Sequence, residues 1–444
     1  MTTPEEDLQP LIDDCVHCGF CLPTCPTYLL WGEEMDSPRG RIHLMSQHAD
    51  GTPLSEEMVQ HFDRCLGCMA CVTSCPSGVQ YDRLIEVTRA QVEHEHPRRR
   101  ADRALREAIF AVFPYPRRLR ALRLPLRAYQ RSGLSRLIRG SGLLERLSPT
   151  LAAMERLAPP PGRAARLPDR IPAQGTRRAR VAMLTGCVQG EFFPQVNAAT
   201  ARVLAAEGCE VLIPKAQGCC GALSLHSGRD AEAKDFARAT MAAFESADVV
   251  VVNSAGCGSA MKDYAAVFGA DPAWADRAVA LSRKTRDLAE FLVELGPRAV
   301  RRPLPITVAY HDACHLAHAQ GVRSQPRELL AGVPELEVRE VPDPEICCGS
   351  AGVYNLLQPT AAKELGERKA AGVRATGAEL LVAANPGCSL QIATALRRIG
   401  GDAAGAAEGG ANGKPSDIRV AHTAEVLDAS LRGIGREAFL NGTV

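Results

Sequence analysis

Cys15-Val-His-Cys18-Gly-Phe-Cys21-Leu-Pro-Thr-Cys25-Pro26 is a C-x2-C-x2-C-x3-C-P run, and Cys65-Leu-Gly-Cys68-Met-Ala-Cys71-Val-Thr-Ser-Cys75-Pro76 repeats it. No other feature narrows the fold as far. Three thiolates at this spacing wrap three corners of one [4Fe–4S] cube, and the fourth lies too far along to close the same cube, so it reaches the other. One cluster is therefore assigned to Cys15, Cys18, Cys21 and Cys75, and the other to Cys65, Cys68, Cys71 and Cys25. Structural zinc would use pairs of C-x-x-C rather than a triple followed by Cys-Pro. Gly19, Gly67 and Ala70 leave room for backbone N–H groups to point at sulfur. The prolines end each turn without a competing donor. Between Cys25 and Cys65 lie 39 residues, more than a small bacterial ferredoxin spends on this link. The runs Ser37–Gln47 and Ser55–Arg64 look helical, so a helical ferredoxin domain is expected over residues 1–97.

The chain of 444 residues suits two or three domains. Its 46% hydrophobic and 23% charged residues are ordinary globular composition. The net charge of +1 argues for neither nucleic acid nor membrane. MTTPEEDLQP at the N-terminus is acidic and lacks the apolar core of a signal peptide. No run reaches the ~18 apolar residues of a membrane span. A cytoplasmic protein with reduced thiols is expected, so its 17 cysteines read as metal ligands or redox groups.

The total charge hides an asymmetry. From Arg98 to Arg139 there are 13 Arg, no Lys and two acids, Asp102 and Glu107, a local charge of +11. Residues 98–180 read as an Arg-rich helical linker, with Pro116 and Pro125 as breaks. Leu and Arg alternate there at roughly helical spacing, so a solvated linker, a surface for an acidic partner subunit, and peripheral contact with anionic lipid all stay open. No nucleic-acid motif accompanies the charge. Residues 400–415 are low in complexity and read as a flexible loop, before a last helix from His422 to Leu431.

Residues 181–300 and 301–444 contain an internal repeat. A strand (Val181–Thr185) runs into Cys187, then come Cys219-Cys220-Gly221 and a strand (Val249–Val252) running into Cys257. The second half has a strand (Ile306–Tyr310) before Cys314, then Cys347-Cys348-Gly349, then a strand (Leu380–Ala384) before Cys388. Helical patterns follow at Pro194–Glu207, Asp230–Phe244, Pro359–Ala371 and Gln391–Arg398, the alternation of small parallel α/β units. Gly221 and Gly349 permit a turn that aims two neighbouring sulfurs one way. Adjacent thiolates fit a regular cube poorly. They suit another kind of metal centre or a redox thiol pair, with zinc a fair rival and His311, His315 or His318 as further candidates. Cys209 has no counterpart in the second half and reads as core. No dinucleotide fingerprint, P-loop or nucleophile elbow is present.

The stretches CVHCGFCLPTCPTYLLWGEEMDSPRGRIHLM and DRCLGCMACVTSCPSGVQY closely resemble the glycolate oxidase (glycolate dehydrogenase) iron–sulfur subunit family, the segment from Asp36 to Ile42 (DSPRGRI) above all. The later halves resemble the cysteine-rich "CCG" domains shared with heterodisulfide reductase, glycerol-3-phosphate dehydrogenase and lactate-utilisation proteins. The fold expected is α+β and multidomain: a helical ferredoxin domain, then two repeated small α/β CCG domains. The resemblance implies an electron-transfer subunit. An FAD-containing partner would oxidise glycolate, or D-lactate, and electrons would pass toward quinone or another acceptor, with possible peripheral membrane contact. A heterodisulfide-reductase-like catalyst is the rival. In such relatives the CCG motif ends in C-x-x-C and holds a noncubane cluster. Here those positions read Cys257-Gly-Ser-Ala260 and Cys388-Ser-Leu-Gln391, so a further iron–sulfur centre and zinc both remain open at Cys187, Cys219, Cys220, Cys257, Cys314, Cys347, Cys348 and Cys388.

Overall fold

A computed structural model describes residues 8–159, 167–400 and 418–442. The N-terminal unit is helical, with its main helices at Pro38–Ala49, Glu56–Arg64 and Tyr81–Glu95. Ser37 and Ser55 start the first two. Their hydroxyls accept the N–H groups of Gly40 (3.0 Å) and Met58 (3.1 Å), and Pro38 takes the first helical position. Ile42, Met45, Met58, Phe62, Leu84 and Ile85 pack into one core together with Cys65 and Cys71.

The Arg-rich stretch is a series of helices, Arg100–Phe110, Pro116–Arg131, Leu134–Ser141, Leu143–Leu147 and Pro149–Leu157. Pro116 marks a break as expected, opening the second helix after the turn that follows Phe110, but Pro125 lies inside that helix. Pro125 and Ala121 are both exposed, so water can take the carbonyl that loses its N–H partner.

Two sheets follow. The first contains β1 (Arg170–Ile171), β2 (Ala179–Met183), β3 (Cys209–Leu212), β4 (Val249–Val252) and β5 (Thr285–Asp287) in the order β1-β3-β2-β4-β5. The second contains β6 (Thr307–His311), β7 (Glu337–Glu340), β8 (Leu380–Ala383) and β9 (Arg419–Ala421) in the order β7-β6-β8-β9. Only β1 is antiparallel. Without it, both sheets have the order second, first, third, fourth strand. The first sheet thus begins inside the stretch read as linker, because a two-residue edge strand carries no alternation to read.

Alternate strand residues face opposite ways. Val181, Met183 and Val251 meet Val308, Tyr310 and Val382 in one core between the halves, filled by helices Pro194–Ala206, Leu288–Leu295, Ser324–Ala331 and Thr423–Arg432. Each fully buried Val or Leu there contributes about 1.5–3 kcal/mol. Helix Asp230–Ala243 covers the outer face of the first sheet, and helices Pro359–Ala375 and Pro386–Ile399 that of the second. The last of these starts five residues before the expected Gln391, at Pro386 after Asn385. Cys209 is fully buried in the core between the halves. Most of the segment read as a 400–415 loop lies outside the described residues.

Candidate metal centres

Both N-terminal runs wind through the same backbone. His17 and Gly19 in the first, Gly67 and Met69 in the second, are all left-handed (φ 54°, 88°, 62° and 63°). Alternating hand turns successive N–H groups to one side, the concavity that favours anionic sulfur. The Gly67 N–H donates to Cys65 Sγ (3.4 Å), and the Tyr81 hydroxyl donates to the same sulfur (3.6 Å). Ala70 opens the short helix Ala70–Thr73, and its N–H donates to Cys68.

Cys15, Cys18, Cys21 and Cys75 line one cavity, with Cys71, Pro38, Ile42, Val79 and Tyr81. Burial raises the pKa of Cys15, and charge on Cys75 and Cys18 adds to it. Burial pushes Cys21 up to about 11. Behind this group, Cys25, Cys65, Cys68 and Cys71 are buried, and charge on Cys25 and Cys65 bears on both Cys68 and Cys71. Burial alone would raise Cys65, but Arg41 and Arg89 outweigh it and bring this thiol below its usual range. Arg89 also joins the units, donating to the carbonyls of Cys65 and of His226 (2.8 Å). The sulfur-lined cavity, the buried thiol group beside it and the left-handed turns of both runs fit two [4Fe–4S] clusters.

The DSPRGRI segment supports this unit. Asp36 is fully buried. Its carboxylate accepts from Arg41 (3.3 Å), His61 (2.9 Å) and Arg64 (2.9 Å). Its carbonyl accepts from the Thr27 hydroxyl (2.7 Å) and lies 3.7 Å from Cys25 Sγ. Gly40 passes so close to the Glu34 carbonyl that a Cβ would overlap it.

In both later halves the cysteines gather at the carboxyl ends of the parallel strands, around the point where strand order reverses, the usual ligand edge of such sheets. Cys187 Sγ donates to Cys219 Sγ (3.6 Å), and Cys220 bridges Cys219 and Cys257. Those two hydrogen bonds pull Cys220 well below the usual thiol range. Cys314 and Cys347 are 4.0 Å apart, and Cys348 bridges Cys347 and Cys388. Thiol–thiol bonds and burial leave Cys314, Cys347 and Cys348 all well above that range. The glycines after each pair are interchangeable in geometry. Gly221 (φ 83°) and Gly349 (φ 85°) are left-handed, and a Cβ would come 2.8 Å from the carbonyl oxygens of Ala233 and Ala362. Cys257 and Cys388 lie in the first turns of helices Ala255–Lys262 and Pro386–Ile399, and the Cys220 hydrogen bond and burial push Cys257 well above the usual thiol range. Sequence reading missed the first turn of the second helix, although Asn385-Pro386 is a start signal.

The three candidate histidines part company. His318 bonds to the Thr73 hydroxyl (2.7 Å) and Arg323 (2.9 Å). His315 Nδ1 lies 3.5 Å from Cys314 Sγ, and its ring meets that of His226 at a tilt of 50° with centroids 4.9 Å apart. His311 lies among the sulfurs of Cys348 and Cys388. The ferredoxin unit abuts the second half. Cys68 packs with Cys314 and Cys347, and after burial, charge on Cys314 is the strongest influence on Cys68.

Three family descriptions match the chain. A 4Fe-4S dicluster domain matches residues 11–79, the linker region of the glycolate oxidase iron-sulfur subunit matches 101–158, and a cysteine-rich domain, CCG, matches 181–262 and 308–393. The chain is 38% identical over 397 residues to a probable glycolate oxidase iron-sulfur subunit of Bacillus subtilis (strain 168), covering 87% of this chain and 89% of that protein. It is 37% identical over 400 residues to the glycolate oxidase iron-sulfur subunit of Escherichia coli (strain K12), covering 88% and 92%. Lactate utilization protein A of Geobacillus kaustophilus (strain HTA426) is 34% identical over 251 residues, 56% of this chain and 99% of that protein.

Proposed function

Because this chain belongs to the family of glycolate oxidase iron–sulfur subunits, we propose that it is the electron-transfer subunit of a complex that oxidises glycolate to glyoxylate, with the substrate site on an FAD-bearing partner and quinone as the acceptor. The observation that carries this reading is the paired cysteine cages of the N-terminal unit. When bound, each [4Fe–4S] cluster supplies a one-electron couple, which suits exchange with a flavin. Cys15, Cys18, Cys21 and Cys75 hold one cluster, and Cys65, Cys68, Cys71 and Cys25 the other. The left-handed turns set N–H groups against the sulfurs, and Arg41 and Arg89 offset thiolate charge. The eight cysteines of the two CCG halves serve as ligands of further metal centres. Glycolate is favoured over lactate by the linker match at residues 101–158 and by the relatives that run the length of the chain.

Val16 and Phe20, 68% and 64% exposed, rim the outer cage beside the exposed Cys18. This apolar rim is the contact for the partner. Anaerobic mixing of the chain with its flavoprotein and glycolate should bleach the iron–sulfur absorbance, and Phe20→Glu should slow that bleaching without changing iron content. Bleaching by D-lactate or glycerol 3-phosphate alone would change the substrate. Disulfide reduction by the isolated chain would replace the reading with the heterodisulfide-reductase type.

The linker gives the complex a lipid-facing surface. Leu122, Leu124, Leu134, Leu137, Leu143, Leu147 and Leu151 are between 46% and 76% exposed along its helices. Beside them Arg117, Arg127, Arg131 and Arg136 are exposed and have no acidic partner among the described residues. Exposed leucine beside unpaired arginine is the composition of an interfacial helix, and each Arg near an anionic surface adds about 1 kcal/mol. No described helix is long and apolar enough to cross a membrane. Sedimentation with vesicles rich in phosphatidylglycerol should recover the chain, and Leu124→Glu with Leu137→Glu and Arg131→Glu should cut recovery at least about tenfold. Equal recovery of the variant would leave the stretch as a linker.

A further inference from the structure

The two CCG halves differ where the repeat makes them comparable. Three residues before Cys187 stands Leu184, and three before Cys314 stands His311. His311 closes β6, is 1% exposed, and has no hydrogen-bond partner at either ring nitrogen among the described residues. A buried polar group left without a partner is destabilising. The imidazole is not stranded among apolar groups, however. One ring nitrogen, Cys348 Sγ and Cys388 Sγ all lie within 4.8 Å of one another.

The neighbouring groups that might have filled this place are engaged elsewhere. His318 is held by Thr73 and Arg323. Gln391 stands where a C-x-x-C motif would end, but its amide donates to the Ala362 carbonyl (2.6 Å) and accepts from Asn355 (3.2 Å). The second half therefore lacks the last sulfur of that motif and gains an imidazole three residues before its first cysteine. The first half lacks the same sulfur, at Ala260, and gains nothing at Leu184.

We propose that the second half is a mixed imidazole–thiolate site for one zinc ion, held by His311, Cys348, Cys388 and one of Cys314 and Cys347, whereas the first half is a sulfur-only site. The proposal rests on the reading of the CCG cysteines as metal ligands. Three sulfurs and one nitrogen around a tetrahedral ion tolerate the adjacent Cys347-Cys348 pair, which a regular cube does not. Zinc–sulfur and zinc–nitrogen bonds of about 2.3 and 2.0–2.1 Å require only a modest closing of the 4.8 Å group. Zinc has no redox chemistry, so it would act as a clasp. It would tie together the ends of β6, β7 and β8 where Cys314 and Cys347 pack on Cys68 of the ferredoxin unit.

The test uses the full chain purified anaerobically, with zinc content, zinc-edge X-ray absorption and the EPR of the reduced ferredoxin clusters read on one sample. One zinc with three sulfur neighbours and one nitrogen is expected. His311→Leu, which copies the first half, should weaken zinc retention against a chelator at least about tenfold while the EPR signal persists. Cys187→Ala should leave the zinc in place. A zinc shell of sulfur alone, extra iron and labile sulfide in place of zinc, or unchanged retention in His311→Leu would overturn the proposal. If that variant does not fold, the nitrogen in the unmodified chain's zinc shell decides. Absence of ferredoxin EPR signals from the unmodified chain would instead overturn the electron-transfer reading, independently of the zinc result.

Discussion

Cys68→Ala should remove about half of the ferredoxin iron and lower glycolate-driven dye reduction by the reconstituted complex about 100-fold or more. Cys68 is the second thiol of the second run and is buried, so water cannot take its place as a ligand. It also sits where the ferredoxin unit meets Cys314 and Cys347, so its loss opens the packing between the two units. The comparison that gives this result meaning is Cys209→Ala. Cys209 is just as buried, but in the core between the halves, far from any sulfur set. That change should leave iron and activity intact and cost only packing, on the order of 1 kcal/mol. Equal iron in Cys68→Ala and the unmodified chain would remove Cys68 from the ligand set.

The gathering of the cysteines was the most legible part of the chain, because their spacing alone constrains it. Strands β2, β4, β6 and β8 were found within two residues because each is a buried apolar run. Strands β3, β5, β7 and β9 escaped. Glu-Val-Arg-Glu of β7 and Thr-Arg-Asp of β5 are short and mostly polar, and only pairing with a buried neighbour makes them strands. The left-handed turns were half visible. Glycine marks Gly19 and Gly67, but the equivalent positions in the other run hold His17 and Met69, whose conformation tertiary packing imposes. The histidines near Cys314 were beyond sequence reading, since His311 and His318 differ only in what surrounds them. The exposure of the linker leucines was equally hidden. Helical spacing shows that a face exists, not whether another element covers it.

Asp36→Ala should destabilise the ferredoxin unit by about 3–5 kcal/mol, the cost of stranding one member of a buried ion pair. The argument turns on Arg41, which is 1% exposed and spends its Nε–H on the His61 carbonyl (2.7 Å). Among the described residues its remaining guanidinium donors reach the Thr27 hydroxyl (3.2 Å) and Asp36 (3.3 Å), so Asp36 is its carboxylate partner. His61 and Arg64 lose their acceptor in the same step. A loss of this size is a large share of the 5–15 kcal/mol that holds a typical domain together. The damage should reach the inner cysteine group first, because Thr27 and Cys25 both lean on the Asp36 carbonyl and Arg41 is the strongest charge acting on Cys65. The checks are the urea midpoint of the iron–sulfur absorbance and the rate of iron release to a chelator, which should rise about 100-fold or more. A second variant separates charge stranding from simple loss of packing. Asp36→Ala with Arg41→Met removes both buried charges, and it should recover part of the lost stability. If the double variant is no better than the single one, or if Asp36→Ala releases iron at the unmodified rate, the buried ion pair is not what DSPRGRI contributes to the fold.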